Sequence, residues 1–102
     1  MTEEGLIKNQ ICHWLALQRC LFWMQMTIGL RGRKNNSKFM RNGISDILGV
    51  WQGRMLAIEV KAPGGKVSAE QVKFIADVNA AGGLAFVAYS IEDVVSKLVG
   101  EA

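Results

Sequence analysis

Histidine and cysteine are scarce in this chain of 102 residues: His13 is the single histidine, and Cys12 and Cys20 are the two cysteines. The cysteines fall in or near a predicted first helix and match no zinc-ligand spacing, so reduced thiols in a cytoplasmic, intracellular setting are expected. His13, on the same helix, reads as a surface or packing residue. No segment approaches the ~20 apolar residues that a membrane-spanning helix needs, so no membrane association is expected. The N-terminus is acidic, and its first apolar stretch is interrupted by Lys8, Asn9, Gln10 and His13, so no signal peptide is expected. No glycine-rich loop has a phosphate-cradling pattern, and with it goes a nucleotide cofactor. Nothing resembles a nucleophilic serine or cysteine arrangement. Internal repeats and low-complexity segments are also missing.

What is present is apolar and, locally, basic. A chain this short makes one domain, residues 1–102, and so small a domain buries only about two-thirds of its unfolded surface. Half of its residues are nevertheless hydrophobic. A second subunit covering part of that surface, a homodimer, is therefore expected. The net charge of +3 is modest, but five of the twelve basic residues, Arg31, Arg33, Lys34, Lys38 and Arg41, share one acid-free segment. Such a run is either a solvated loop or a sequence-independent contact to nucleic-acid phosphates.

Along the chain, Thr2 can cap a helix opened by Glu3 and Glu4. Ile7, Ile11, Trp14 and Leu15 recur at helical spacing, Leu6 and Leu17 widen the stripe, and the helix should end near Gln18. Glu3 and Glu4 both lie close to that stripe, and periodicity does not choose which points inward. Leu21 to Ile28 reads as the first strand, and the polar, basic stretch from Gly29 to Asn42 as a long loop. Two apolar runs, Ile44 to Trp51 and Arg54 to Val60, flank Gln52-Gly53, the turn of a predicted β-hairpin. Gly49 would admit a close backbone approach. Ser68, with Gln71 in the capping-box position, opens a second helix that Gly82-Gly83 closes. Leu84 to Tyr89 is an apolar strand buried on both faces, and Ser90 with Asp93 caps a last helix, Ile91 to Val99. The predicted order is α-β-β-β-α-β-α.

If Gln52 and Gly53 are the central turn residues, cross-strand partners have numbers summing to 105. Trp51 then faces Arg54, Val50 faces Met55, and Asp46 faces Glu59. Directly opposed residues lie ~4.5–5.5 Å apart at Cβ, where like charges repel. Lys61 projects from the same face as Glu59. A one-residue bulge would instead turn Asp46 to the other face, and Gln is a poor first residue for a type I′ turn. An adjacent Glu and Lys on a strand also commonly form only a solvated ion pair. With Asp46 opposed, a hard divalent cation would make the arrangement favourable.

These elements resemble the VRR-NUC family, virus-type replication-repair nucleases within the PD-(D/E)xK superfamily. The resemblance rests on an N-terminal helix Glu, Gly43-Ile44-Ser45-Asp46, Ile58-Glu59-Val60-Lys61 and the Ser68-x-x-Gln71 helix start, in that order. It implies an α/β, restriction-endonuclease-like mixed sheet flanked by helices, with the motif residues gathered around one or two divalent metals. It assigns Glu4 as the helix acid, Asp46 and Glu59 as metal-binding acids, Lys61 as the catalytic lysine and Gln71 as the residue opening the later helix. The family often carries an Arg near the end of the first strand, where Gln25 or a neighbour stands here.

The chemistry implied is phosphodiester hydrolysis supported by Mg²⁺ or Mn²⁺. Asp46 and Glu59, with the Val60 carbonyl and Glu4, would hold the ion, and Lys61 would orient water or offset developing charge. Gln71 would bond Lys61 or the water, although a plain capping-box role explains it equally well on sequence alone. The expected activity is a DNA endonuclease selective for branched or four-way junction DNA, acting as a homodimer, virus- or phage-encoded in origin. The alternative is a non-catalytic DNA-binding module that uses the basic loop 31–41.

Overall fold

The computed structural model describes residues 1–25 and 39–100. Their elements run α1 (Glu3–Leu17), β1 (Leu21–Met24), β2 (Ile47–Trp51), β3 (Arg54–Val60), α2 (Ala69–Ala80), β4 (Leu84–Ala88) and α3 (Ile91–Val99). This is the α-β-β-β-α-β-α order that the sequence predicts. One mixed sheet has the strand order β1-β2-β3-β4. The pairs β1–β2 and β2–β3 are antiparallel, whereas β4 lies parallel to β3 after the α2 crossover.

The hairpin register is the expected one: Trp51 opposes Arg54 and Val50 opposes Met55, with Ile47 opposite Ile58 at the far end. Both turn residues have positive φ, Gln52 at 50° and Gly53 at 79°, which is the type I′ requirement. Gln52 adopts this unfavoured conformation because two strands of matched hydrophobic pattern fix the register around it. At Gly49 a Cβ would collide with the Leu21 carbonyl oxygen, so β1 and β2 approach there as only glycine permits.

The sheet separates two apolar clusters. On one face Ile47, Leu56, Ile58, Val60, Phe86 and Ala88 pack with Ile7, Ile11 and Leu15 of α1 and Val94 and Leu98 of α3. Trp14 and Trp51 stack there with ring centroids 5.9 Å apart. On the other face Leu48, Ala57 and Ala85 pack against Phe74 and Val78 of α2. β3 lies inside the sheet, and Leu56 to Val60 are all buried. Glu59 is the one charged residue in that run.

Leu6 and Leu17 depart from the expected stripe: both are exposed. At 100° per residue they fall roughly 120–140° from the centre of the Ile7–Ile11–Leu15 line, outside the width that one sheet face covers. Of the first strand, Met26 to Ile28 lie outside the described residues. Among the described residues no helix is long and apolar enough to cross a membrane.

Candidate active site

Four local sequences converge at the end of the sheet where β2 begins and β3 finishes. Asp46 sits one residue before β2, and its Oδ2 accepts a hydrogen bond from the Val60 N–H at 2.9 Å. The carboxylate thereby takes a ladder position and is fixed against β3. Gln25, just past β1, donates its N–H to the Asp46 carbonyl at 2.7 Å. The departure from the family's Arg at this place thus leaves a residue whose backbone holds the Asp46 segment to β1.

Glu59 enters from β3 and is only 2% exposed. Its Oε2 accepts from Gln71 Nε2 at 3.1 Å and lies 3.7 Å from Lys61 Nζ. Its Oε1 is buried with no hydrogen-bond partner. Burial, foremost, and the adjacent negative charge of Asp46 push the Glu59 carboxyl up to about 8; Lys61 pulls it down and Glu4 adds to the rise. A carboxyl group so placed resists ionisation unless a further positive charge joins it.

Gln71 takes the capping-box role, and its amide bonds Glu59 where the sequence reading expects Lys61 or a water. Its Oε1 accepts from the Ser68 N–H at 2.9 Å while its own N–H donates to Ser68 Oγ at 3.1 Å, completing the capping box. With Oε1 engaged, only the amide NH₂ is left to face Glu59, so helix start and carboxylate are joined through one side chain. Gly43 secures the other side of this contact. A Cβ there would collide with the Glu70 backbone, and its φ of +74° is a conformation that L side chains rarely adopt. The Gly43-Ile44-Ser45-Asp46 stretch is therefore seated directly against the first turn of α2.

α1 reaches the site with its N-terminal half. Thr2 Oγ1 accepts from the Gly5 N–H at 3.0 Å and caps the helix. Glu3 is exposed and Glu4 half-buried, and Glu4 is the one whose charge is felt at Glu59. The choice that periodicity left open falls to Glu4. One turn along, Lys8 places Nζ 3.7 Å from Asp46 Oδ1. Sequence reading missed Lys8 as a site residue; its signal was the i, i+4 relation to Glu4, which sets both on one helix face.

The structure thus brings Asp46, Glu59, Lys61, Gln71 and Lys8 together, with Glu4 acting over a longer range. Val60 meets Asp46 through its N–H. Among the described residues no three Asp, Glu, His or Cys side chains gather as a ready-made metal cage. Two carboxylates, one with a buried and unpartnered oxygen, still fit a hard dication that keeps several waters, as Mg²⁺ does. Of the basic segment, Arg31, Arg33, Lys34 and Lys38 lie outside the described residues. Arg41 is engaged locally: its guanidinium donates to Asp77 at 2.8 Å and lies 5.5 Å over the Phe74 ring.

A mixed α/β sheet bearing paired acids and a lysine two residues beyond the second acid is an arrangement of nuclease domains. The chain belongs to the VRR-NUC family: the family model of the VRR-NUC domain matches residues 4–92, a span that takes in Glu4, Lys8, Asp46, Glu59, Lys61 and Gln71. Comparisons with curated proteins and with solved structures return no match. The chain is thus a nuclease-type domain, which implies DNA as its partner.

Proposed function

We propose that this nuclease is a divalent-metal-dependent DNA endonuclease that hydrolyses phosphodiester bonds in branched or four-way junction DNA as a homodimer. The observation that carries metal dependence is Glu59, a carboxylate sealed in the central strand beside Asp46 with Oε1 unpartnered. Leaving such an oxygen unpaired is unfavourable in a fold held by protein contacts alone. Asp46 Oδ1 and Glu59 Oε1 are the oxygens not already taken by N–H donors, and they would hold Mg²⁺ or Mn²⁺, with the Val60 carbonyl as a further oxygen. Such an ion lowers the pKa of bound water and polarises the phosphate.

The chain's own residues do the remaining work. Val60 and Gln71 hold the two carboxylates in place through their N–H groups. Lys61 presents a cation next to Glu59, where it offsets negative charge developing on the phosphoryl oxygens or orients the attacking water. The basic segment 31–41 tracks the DNA backbone, and Arg41 is tied to α2 through Asp77.

The dimer reading is supported by apolar surface that α2 does not cover. Leu21, 66% exposed, and Trp23, 47% exposed, lie on β1 beside Val50 and Met55 of the same sheet face, which are also exposed. Two sites in one dimer would suit the paired strands of a junction. The test is incubation of purified protein with labelled linear, flap and four-way DNA, with and without Mg²⁺ or Mn²⁺. Metal-dependent incision of the branched substrates is expected; equal cutting in EDTA overturns metal dependence, and equal cutting of linear duplex overturns the selectivity.

A further inference from the structure

We infer that Lys8 is an exchangeable counter-ion, bound to Asp46 while the site is metal-free and passed to a DNA phosphate when a divalent cation takes its place. The inference rests on the metal-dependent reading and extends it to a residue outside the acid–lysine motif.

Asp46 offers two oxygens, and they are not equivalent. Oδ2 is committed to the Val60 N–H at 2.9 Å, a short hydrogen bond within the sheet. Oδ1 has Lys8 Nζ at 3.7 Å, an ion pair too long for a strong hydrogen bond. Glu59 repeats the pattern, with Oε2 engaged by Gln71 and Oε1 left over. The two available oxygens are therefore Asp46 Oδ1 and Glu59 Oε1, and Lys8 stands on the first of them.

Lys8 and Lys61 each place Nζ 3.7 Å from a carboxylate oxygen and are similarly exposed, 21% and 19%; they differ in the element that carries them. Lys8 comes from α1, one turn past Glu4. A flexible four-carbon stem with one weak contact at its tip can swing without disturbing the helix. Lys61 follows directly from β3, where its N–H is bonded to the Ala88 carbonyl at 3.0 Å. In the exchange Lys8 gives up Asp46 Oδ1, and like-charge repulsion from the arriving dication drives its ammonium outward. The polyanion being cut is then its available partner. The only bond broken is the Glu59 O–H: below about pH 8 its proton leaves to solvent as the dication binds. Metal and DNA binding become coupled, because the first frees a phosphate contact for the second.

The coupling is measurable with Ca²⁺ as the probe, a hard dication that takes the same kind of oxygen ligands. Binding of Ca²⁺ is measured by calorimetry for the wild type, Lys8→Met and Lys8→Arg without DNA. Affinity for a fluorescent four-way junction is then measured with EDTA and with Ca²⁺. Removing a competing charge worth a partly exposed ion pair should tighten Ca²⁺ binding about two- to fivefold in Lys8→Met, with Lys8→Arg near wild type. Lys8→Met should bind DNA like wild type in EDTA and several-fold more weakly in Ca²⁺. Unchanged or weaker Ca²⁺ binding in Lys8→Met, or an equal DNA deficit with and without Ca²⁺, overturns the exchange. If wild type takes up no Ca²⁺, Mg²⁺ or Mn²⁺ at all, the metal-dependent reading fails and the exchange with it. Metal binding that needs Asp46 and Glu59 but ignores Lys8 removes the exchange alone.

Discussion

Replacing Glu59 by Gln should make the metal-free protein more stable, by an amount that grows with pH. In the folded chain the Glu59 carboxyl titrates at about 8 instead of its ordinary 4.5. Between those values the native state holds a proton that the unfolded chain has released. The wild type therefore loses stability as pH rises through that window, at ~1.4 kcal/mol per pH unit for one proton. At pH 7 the accumulated penalty is about 3 kcal/mol; below pH 4.5 it vanishes. Gln carries no charge to bury, and its amide oxygen can still accept from Gln71 Nε2. The pull of Lys61 is already contained in the value of about 8, so the net gain at pH 7 is about 3 kcal/mol, roughly 15 °C in melting temperature for a domain of this size. The assay is thermal unfolding in EDTA from pH 4.5 to pH 8, read as variant minus wild type so that other titrating groups cancel. Mg²⁺ should narrow the gap by stabilising the wild type alone. A difference that stays flat with pH, or a variant less stable than wild type at pH 7, refutes the account of Glu59 as a carboxylate waiting for a cation.

Asp46→Asn should remove metal-dependent incision while keeping the fold and most of the DNA affinity, checked by single-turnover cleavage beside circular dichroism and binding; wild-type rates would contradict the site. Gly43→Ala should destabilise the protein by about 1–3 kcal/mol and depress cleavage, since its methyl group meets the Glu70 backbone and its φ is positive. Denaturant titration together with kinetics tests this, and an unperturbed variant would mean that the loop is not seated on α2. Replacing Arg31, Arg33 and Lys34 by Ala should weaken DNA binding and flatten the log–log salt slope by ~1 for each phosphate no longer neutralised, with little change in turnover of fully bound DNA. Binding measured at several salt concentrations checks this, and a wild-type slope would make the segment a solvated loop.

The hairpin was legible because its evidence is local. A two-residue turn and strands of matching pattern fix the register even though Gln52 is an awkward choice for positive φ. The capping box of α2, the Ser90 cap, the strand β4 and the helix order were legible on the same grounds; β4 lies at the sheet edge and is less fully buried than its apolar run suggests. Lys8 was not, because its role exists only once α1 is docked against the start of β2, 38 residues downstream at Asp46. Arg41 belongs to the same class. In sequence it is one more cation of a basic run, but in the fold it is tied to Asp77 and Phe74 of α2. Glu4 and Gln71 fall between these cases. Periodicity and capping rules placed them on the correct elements, whereas the Gln71 bond to Glu59 and the charge of Glu4 felt there follow only from the fold.

The double engagement of Gln71 ties the nuclease site to the equilibrium between coil and helix. First turns fray at a free energy well below that of global unfolding. When the first turn of α2 opens, the amide leaves Ser68 and Glu59 together, and a buried carboxyl group loses its hydrogen bond from Gln71. The site is thus armed only while that turn is wound. Cleavage should consequently fade on heating some degrees before the sheet melts. A ligand that winds or unwinds this single turn would govern the enzyme without touching either acid.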